Sequence, residues 1–283
     1  MTAPEIPLAQ VWCAIPVYNN AATITDIATR ARQHLPNIII IDDGSTDANL
    51  PDLLKPLDIT VIRHPTNRGK GAALLTAMRH AHERGAQHLI TLDGDGQHFP
   101  EDIPRFFPHL APDCIAVGHR AQITGTMPRS SQFGREFSDF WIHVETGQTV
   151  LDSQSGFRAY PLPASLDLKP QSIRYGLEVE ILTKAFWSGL RSQSVPIRVF
   201  YPPREERVSS FHPLRDNARL TLLHARLIAR QVLPMPHPQI RIHRGAAEST
   251  ENSLSANPLP LLPPLPPACT EPGRSGEGRG EGE

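Results

Sequence analysis

The sequence predicts an α/β fold: a mostly parallel central sheet covered by helices. Two observations predict it. Between residues 11 and 119, short β-rich apolar runs alternate with longer helical segments, as strands joined by crossover helices do. These runs also end in polar, glycine-containing sequence, at the place where such sheets bind ligands.

The first run, residues 11–15, stops at Pro16. Residues 22–35 follow with helical spacing through Ile24, Ile27, Ala28, Ala31 and Leu35. Ile38-Ile39-Ile40-Ile41 is uninterrupted and β-branched, as a strand buried on both faces requires. Residues 59–62, 89–92 and 115–117 repeat the theme, with helices expected over 71–83 and 100–110. Beyond residue 121 the pattern is less regular, with helices expected over 131–145 and 177–188 and a strand over 195–201. A last helix, 217–232, carries Leu220, Leu223, Leu227 and Ile228 along one side. After Leu233 the chain turns to Pro and Leu, then to Gly, Glu and Arg, a composition that builds no core. The expectation is a folded domain over 1–233 and a Pro/Gly-rich disordered tail over 234–283.

Composition narrows the function. The net charge of −1 gives no reason to expect nucleic-acid binding. Cys13, Cys114 and Cys269 lack zinc-ligand spacing and read as reduced thiols of a cytoplasmic chain. No run of about 18 apolar residues could span a bilayer, so any membrane contact is expected to be peripheral, at the inner face.

The chemistry-bearing residues gather at the strand ends. The first strand runs into Pro16-Val17-Tyr18-Asn19-Asn20, the second into Asp42-Asp43-Gly44-Ser45-Thr46-Asp47, and the fourth into Asp93-Gly94-Asp95-Gly96-Gln97-His98. Acidic loops suit a diphosphate only if a divalent cation stands between them. Asp42, Asp43 and Asp47 also fit turn and helix-cap chemistry. An EF-hand fails on spacing, with His98 at its sixth position and Pro104 at its twelfth. No Gly-x-Gly-x-x-Gly follows the first strand, which excludes a dinucleotide fingerprint there.

Taken in order, Ile15-Pro16-Val17-Tyr18-Asn19, Ile41-Asp42-Asp43-Gly44-Ser45-Thr46-Asp47, Asn67-Arg68-Gly69-Lys70-Gly71 and Leu92-Asp93-Gly94-Asp95-Gly96-Gln97-His98 resemble the family 2 glycosyltransferases. The branch they resemble contains dolichol-phosphate mannosyltransferase and bacterial polyprenyl-phosphate sugar transferases. Asp152-Ser153-Gln154-Ser155-Gly156-Phe157-Arg158, Tyr175-Gly176-Leu177-Glu178-Val179-Glu180 and Val195-Pro196-Ile197 are similar to that branch further on. The resemblance implies a GT-A type domain and a metal-dependent, inverting transfer from a nucleotide-sugar donor to a polyprenyl-phosphate or other lipid acceptor. It implies that Pro16, Tyr18 and Asp43 hold the nucleoside, with Asp93, Gly94, Asp95 and Arg120 at the rest of the donor. Asp93, Asp95 and Gln97 would hold Mg2+ or Mn2+, with Asp95 catalytic. Gly96, like Gly94, would let the backbone approach the donor. Arg204 and Ser209 match the spacing of the acceptor-phosphate motif, although Arg207 and Ser210 replace its Gly and Lys; Asn20 replaces the Glu usual after Tyr-Asn.

A lipid phosphate is already ionised at neutral pH and needs no general base. A hydroxyl acceptor would need one, for which Asp152 and Glu180 are the candidates, with Glu178 behind them. Two rival readings are a nucleotidyltransferase, which lacks its Gly-rich phosphate loop here, and a non-catalytic protein docking a partner through its Pro-rich tail. Residues 218–232 combine leucines with Arg219, Arg226 and Arg230. That helix fits either the headgroup layer of a membrane or a stripe packed on the sheet.

Overall fold

A computed structural model describes residues 6–127, 129–203 and 213–233 of the chain. The strands are β1 (Val11–Val17), β2 (Asn37–Asp42), β3 (Thr60–Arg63), β4 (His88–Thr91), β5 (Cys114–Gly125), β6 (Arg158–Pro161) and β7 (Arg191–Tyr201). The helices are α1 (Ala21–Arg32), α2 (Leu50–Leu54), α3 (Lys70–Glu83), α4 (Arg129–Thr146), α5 (Leu162–Asp167), α6 (Leu177–Trp187) and α7 (Pro213–Val232). The strands form one sheet in the order β3-β2-β1-β4-β6-β5-β7. It is parallel except where β6 pairs antiparallel with β4 and β5.

The expected α/β class therefore holds, with informative differences. Residues Pro100–His109 form a 3-10 helix instead of an α-helix. Pro104 and Pro108 lie inside it, and each lacks the N–H that an α-helical turn would use. β6 is not anticipated by sequence pattern, because four residues ending in Pro161 carry no readable alternation. β5 runs well past residue 117, its outer half pairing with β7 across a register shift between Arg120 and Gln122.

Strand side chains alternate between two cores. Cys13, Ile15, Ile38 and Ile40 pack with Ile24, Ile27 and Ala28 of α1 on one face. Ala14, Ile39 and Ile41 pack with α3 and α6 on the other. Burial on both faces is why these strands read as unbroken apolar runs. β1 lies between β2 and β4, so the carboxyl ends of these three parallel strands adjoin at the point where strand order reverses.

The stripe of α7 belongs to the core. Leu220 and Leu227 are buried, and Leu223 packs against the core cluster that holds Leu220. Of the two readings of that stripe, packing on protein is the one found for Leu220, Leu223 and Leu227, while Leu222 stays exposed. The expected tail, 234–283, and Arg204, Arg207, Ser209 and Ser210 lie outside the described residues.

Candidate active site

The loop after β2 is built by its own carboxylates. Asp42 accepts the Ser45 N–H at 2.7 Å, and Asp47 accepts the N–H of Ala21 at the start of α1 at 2.8 Å. Asp43 is buried and accepts from the backbone of Arg68 and Gly69 at 3.0 and 2.7 Å. Its Oδ1 also lies 2.7 Å from His64 Nδ1. Asp42 thus realises the turn role and Asp47 receives the first N–H of α1, while Asp43 fixes the chain where α3 begins. Gly69 is needed there: its φ is +99°, and a Cβ would lie 2.5 Å from the Ile173 carbonyl.

α3 begins with Lys70, whose ammonium lies 2.7 Å from Asp93 Oδ1 and 2.9 Å from Glu178 Oε1. Burial pulls the Lys70 pKa down, but Asp93 and Glu178 outweigh it and hold the group charged. Burial likewise pushes Asp93 up, and Lys70 overrides it, so this carboxylate stays below its usual range. Asp95 has no such partner. Burial, then the charge of Asp93, pushes its carboxyl up to about 6, although Gln97 N–H donates to it at 3.0 Å. His98 is buried, with Nδ1 3.9 Å from Asp93 Oδ2, and burial lowers its pKa to about 4, leaving a neutral ring.

These two carboxylates on one turn are an anionic excess that a divalent cation would relieve. Oxygen donors suit Mg2+ or Mn2+, and Mg2+ sites commonly combine one or two carboxylates with substrate phosphates. Among the described residues no group of three or more His, Cys, Asp or Glu side chains is placed to hold a metal. Two carboxylates are the donor number that Mg2+ sites combine with substrate phosphates.

Across the cleft Arg120 and Asp152 form a bidentate pair, Nε to Oδ2 at 2.5 Å and Nη2 to Oδ1 at 2.6 Å. Arg120 Nη1 donates to the Tyr201 hydroxyl at 2.7 Å. Asp139 accepts the N–H groups of Asp152 and Ser153 at 3.2 and 2.7 Å. The guanidinium of Arg158, fully buried, donates to the carbonyls of Ser153, Ser155 and Glu178. It ties the 152–156 turn to α6.

The profile of glycosyl transferase family 2 matches residues 12–158, which span β1 to the start of β6 and so include the Asp93-Gly94-Asp95 turn. The chain belongs to glycosyl transferase family 2. It is a glycosyltransferase of the GT-A type. It is 32% identical over 216 residues to a UDP-N-acetylglucosamine–dolichyl-phosphate N-acetylglucosaminyltransferase of Methanococcus voltae, covering 68% of this chain and 86% of the relative. An undecaprenyl-phosphate mannosyltransferase of Micrococcus luteus is 28% identical over 200 residues, 66% of this chain and 82% of the relative. Among solved structures, glucosyl-3-phosphoglycerate synthase of Mycobacterium tuberculosis with UDP superposes with a TM-score of 0.56 at 18% identity. That match covers 80% of this chain and 81% of the other, and it shows the fold.

Within this glycosyltransferase the structure joins Asp93 and Asp95, as expected of one turn, and adds Lys70 and Glu178 to them. It separates the two glutamates of α6. Glu178 faces Lys70. Glu180 accepts from the N–H groups of Gln171 and Ser172 and pairs with Lys184 at 2.6 Å. Burial raises the Glu180 pKa, but Lys184 and Ser172 outweigh it and hold the group ionised. Arg120 and Asp152, expected in separate roles, meet each other. Gly94 is closed from below, where a Cβ would lie 3.1 Å from the Pro16 carbonyl oxygen and 3.3 Å from a Val17 methyl. Its missing side chain therefore serves packing on β1. Sequence reasoning passed over Lys70, Arg158, Asp139 and Gly156. Lys70, Gly156 and Arg158 stood inside quoted motifs, which was the available signal; Asp139 had none.

Proposed function

We propose that this glycosyltransferase inverts the sugar carbon as it moves a sugar from a nucleotide-sugar donor to a lipid-phosphate acceptor at a membrane surface, with Mg2+ or Mn2+. The observation that carries the reading is the Asp93-Gly94-Asp95 turn at the carboxyl end of β4, beside β1, with Asp93 neutralised by Lys70 and Asp95 given no ion pair among the described residues. The names of the dolichyl-phosphate and undecaprenyl-phosphate relatives support the acceptor class.

Pro16, Tyr18 and Asp43 bind the nucleoside in this reading, with Asp43 also shaping the loop before α3. Asp93, Asp95 and Gln97 hold the cation, which supplies charge stabilisation for the departing diphosphate. Arg120, locked by Asp152 and Tyr201, presents a fixed positive group near the donor. Arg204 and Ser209 receive the acceptor phosphate. A phosphate oxygen attacks without a general base, consistent with Asp152 and Glu180 being held by Arg120 and by Lys184 with backbone N–H groups. A pocket of about 300 Å3 between residues 171–176 and α7 adds Arg174, Arg219 and Arg226 beside Leu220 and Leu223, with Asp216 pairing Arg219 at 2.9 Å. Three arginines against one carboxylate over an apolar wall suit an anionic amphiphile.

The test is incubation of the protein with a panel of labelled nucleotide sugars, polyprenyl phosphate and Mn2+. Label is expected in the organic phase with at least one donor, and chelation by EDTA should stop the transfer. Label appearing only in water-soluble product would point to a soluble hydroxyl acceptor, and transfer unaffected by EDTA would remove the cation from the reading.

A further inference from the structure

Lys70 sits in the Asn67-Arg68-Gly69-Lys70-Gly71 motif, which the proposed reaction does not use. Three distant segments converge on it. Asp93 follows β4, Glu178 lies in the first turn of α6, and Gly156 belongs to the turn before β6. The ammonium is 2.7 Å from Asp93 and 2.9 Å from Glu178, with the Lys70 side chain only 18% exposed. Gly156 closes the third side: a Cβ there would lie 2.5 Å from Lys70 Nζ and 2.6 Å from Asp93 Oδ1. A side chain at residue 156 would break the pair.

We infer that Lys70 is a positioning residue that competes with the divalent cation for Asp93. Resting on the cation reading above, it aims Asp93 and restrains cation affinity until the donor diphosphate adds ligands of its own. The ammonium touches Asp93 and Glu178, Asp95 follows on the same turn as Asp93, and Arg120 is engaged with Asp152. One positive charge therefore faces three carboxylates. Removing it leaves an uncompensated group of carboxylates, which attracts a dication more strongly. Glu178 acts by charge and by holding Lys70, not as a cation ligand.

Mn2+ binding to the full chain, read from the electron paramagnetic resonance signal of free Mn2+, tests this without turnover. Without donor, Lys70→Met is expected to bind Mn2+ at least about tenfold tighter than wild type, because a like charge a few ångströms away has gone. Lys70→Arg is expected to stay near wild type. Glu178→Gln removes one negative charge and leaves Lys70 to Asp93 alone, so it should bind about threefold or more weakly. A merely structural lysine would lower the unfolding temperature and tighten nothing. Equal or weaker binding by folded Lys70→Met overturns the inference while leaving the cation reading intact. If Lys70→Met fails to fold, unchanged or tighter binding by Glu178→Gln overturns it. No Mn2+ binding by wild type, even with a nucleoside diphosphate, overturns the cation reading and this inference together.

Discussion

Asp152 sits at φ +76°, in the left-handed region that a residue with a β-carbon adopts only when its surroundings insist. Arg120 grips its carboxylate in two places and Asp139 receives the N–H groups on either side of the bend. Removing Arg120 would leave the carboxylate, 1% exposed, without its counter-charge. Arg120→Ala is therefore expected to lower stability by about 3 kcal/mol, measured by urea unfolding. A loss within error would mean that water compensates Asp152. Asp95→Asn bears on chemistry instead. It should leave the unfolding midpoint nearly unchanged and lower turnover by about a hundredfold or more, since charge opposite the leaving diphosphate is lost. Unchanged turnover in a folded Asp95→Asn protein would remove Asp95 from the reaction. The sequence made Asp93 and Asp95 legible because they share one turn. It could not show that Glu178 rather than Glu180 faces them: residues two apart on a helix diverge by about 200°, and the pattern does not say which one points inward.

At the scale of elements, the parallel half was readable because β1, β2 and β4 are buried on both faces and leave unbroken apolar signatures. The antiparallel β6 was not, because its four residues are set by pairing partners distant in sequence: Ala159 opposite Ile90 and Ala116. α7 shows the same limit. Its leucine stripe was visible, yet its destination was not. A buried polar link settles the docking. His224 Nδ1 lies 2.7 Å from Glu145 Oε1 of α4, and Glu145 Oε2 accepts from Thr183 of α6 at 3.1 Å. Phe137 and Trp141 of α4 flank the His224 ring at 5.9 and 6.3 Å. His224→Ala strips Glu145, itself 0% exposed, of one partner and opens a gap between aromatic rings. It is expected to cost about 2–3 kcal/mol. Hydrogen exchange should localise the loss to α4 and α7. Uniform loss across the sheet would show that the link stabilises the whole domain rather than one docked helix.

At the scale of the whole molecule, no helix among the described residues is long and apolar enough to cross a membrane, while the proposed acceptor is a lipid. Side chains that the described fold leaves outside offer a surface for contact with a bilayer. α4 exposes Phe133 and Phe140, at 70% and 59%, and α7 exposes Leu222 at 70%. Phe133 and Phe140 are seven residues apart, two turns along one side of α4. α7 packs beside α4 and carries Arg219 and Arg226, which also line the pocket next to residues 171–176. Aromatic and leucine side chains with nearby arginines suit the boundary between acyl chains and anionic headgroups. The protein is therefore expected to float with vesicles containing anionic lipid, and to float less as salt rises through about 0.15 M to 1 M, where screening shortens the reach of the arginines. Phe133→Ser with Phe140→Ser should weaken binding at every salt concentration, and Arg219→Glu with Arg226→Glu should abolish its salt dependence. Failure to float at low salt, even with polyprenyl phosphate in the vesicle, would place the acceptor in solution and send the reaction back to a hydroxyl that needs a base.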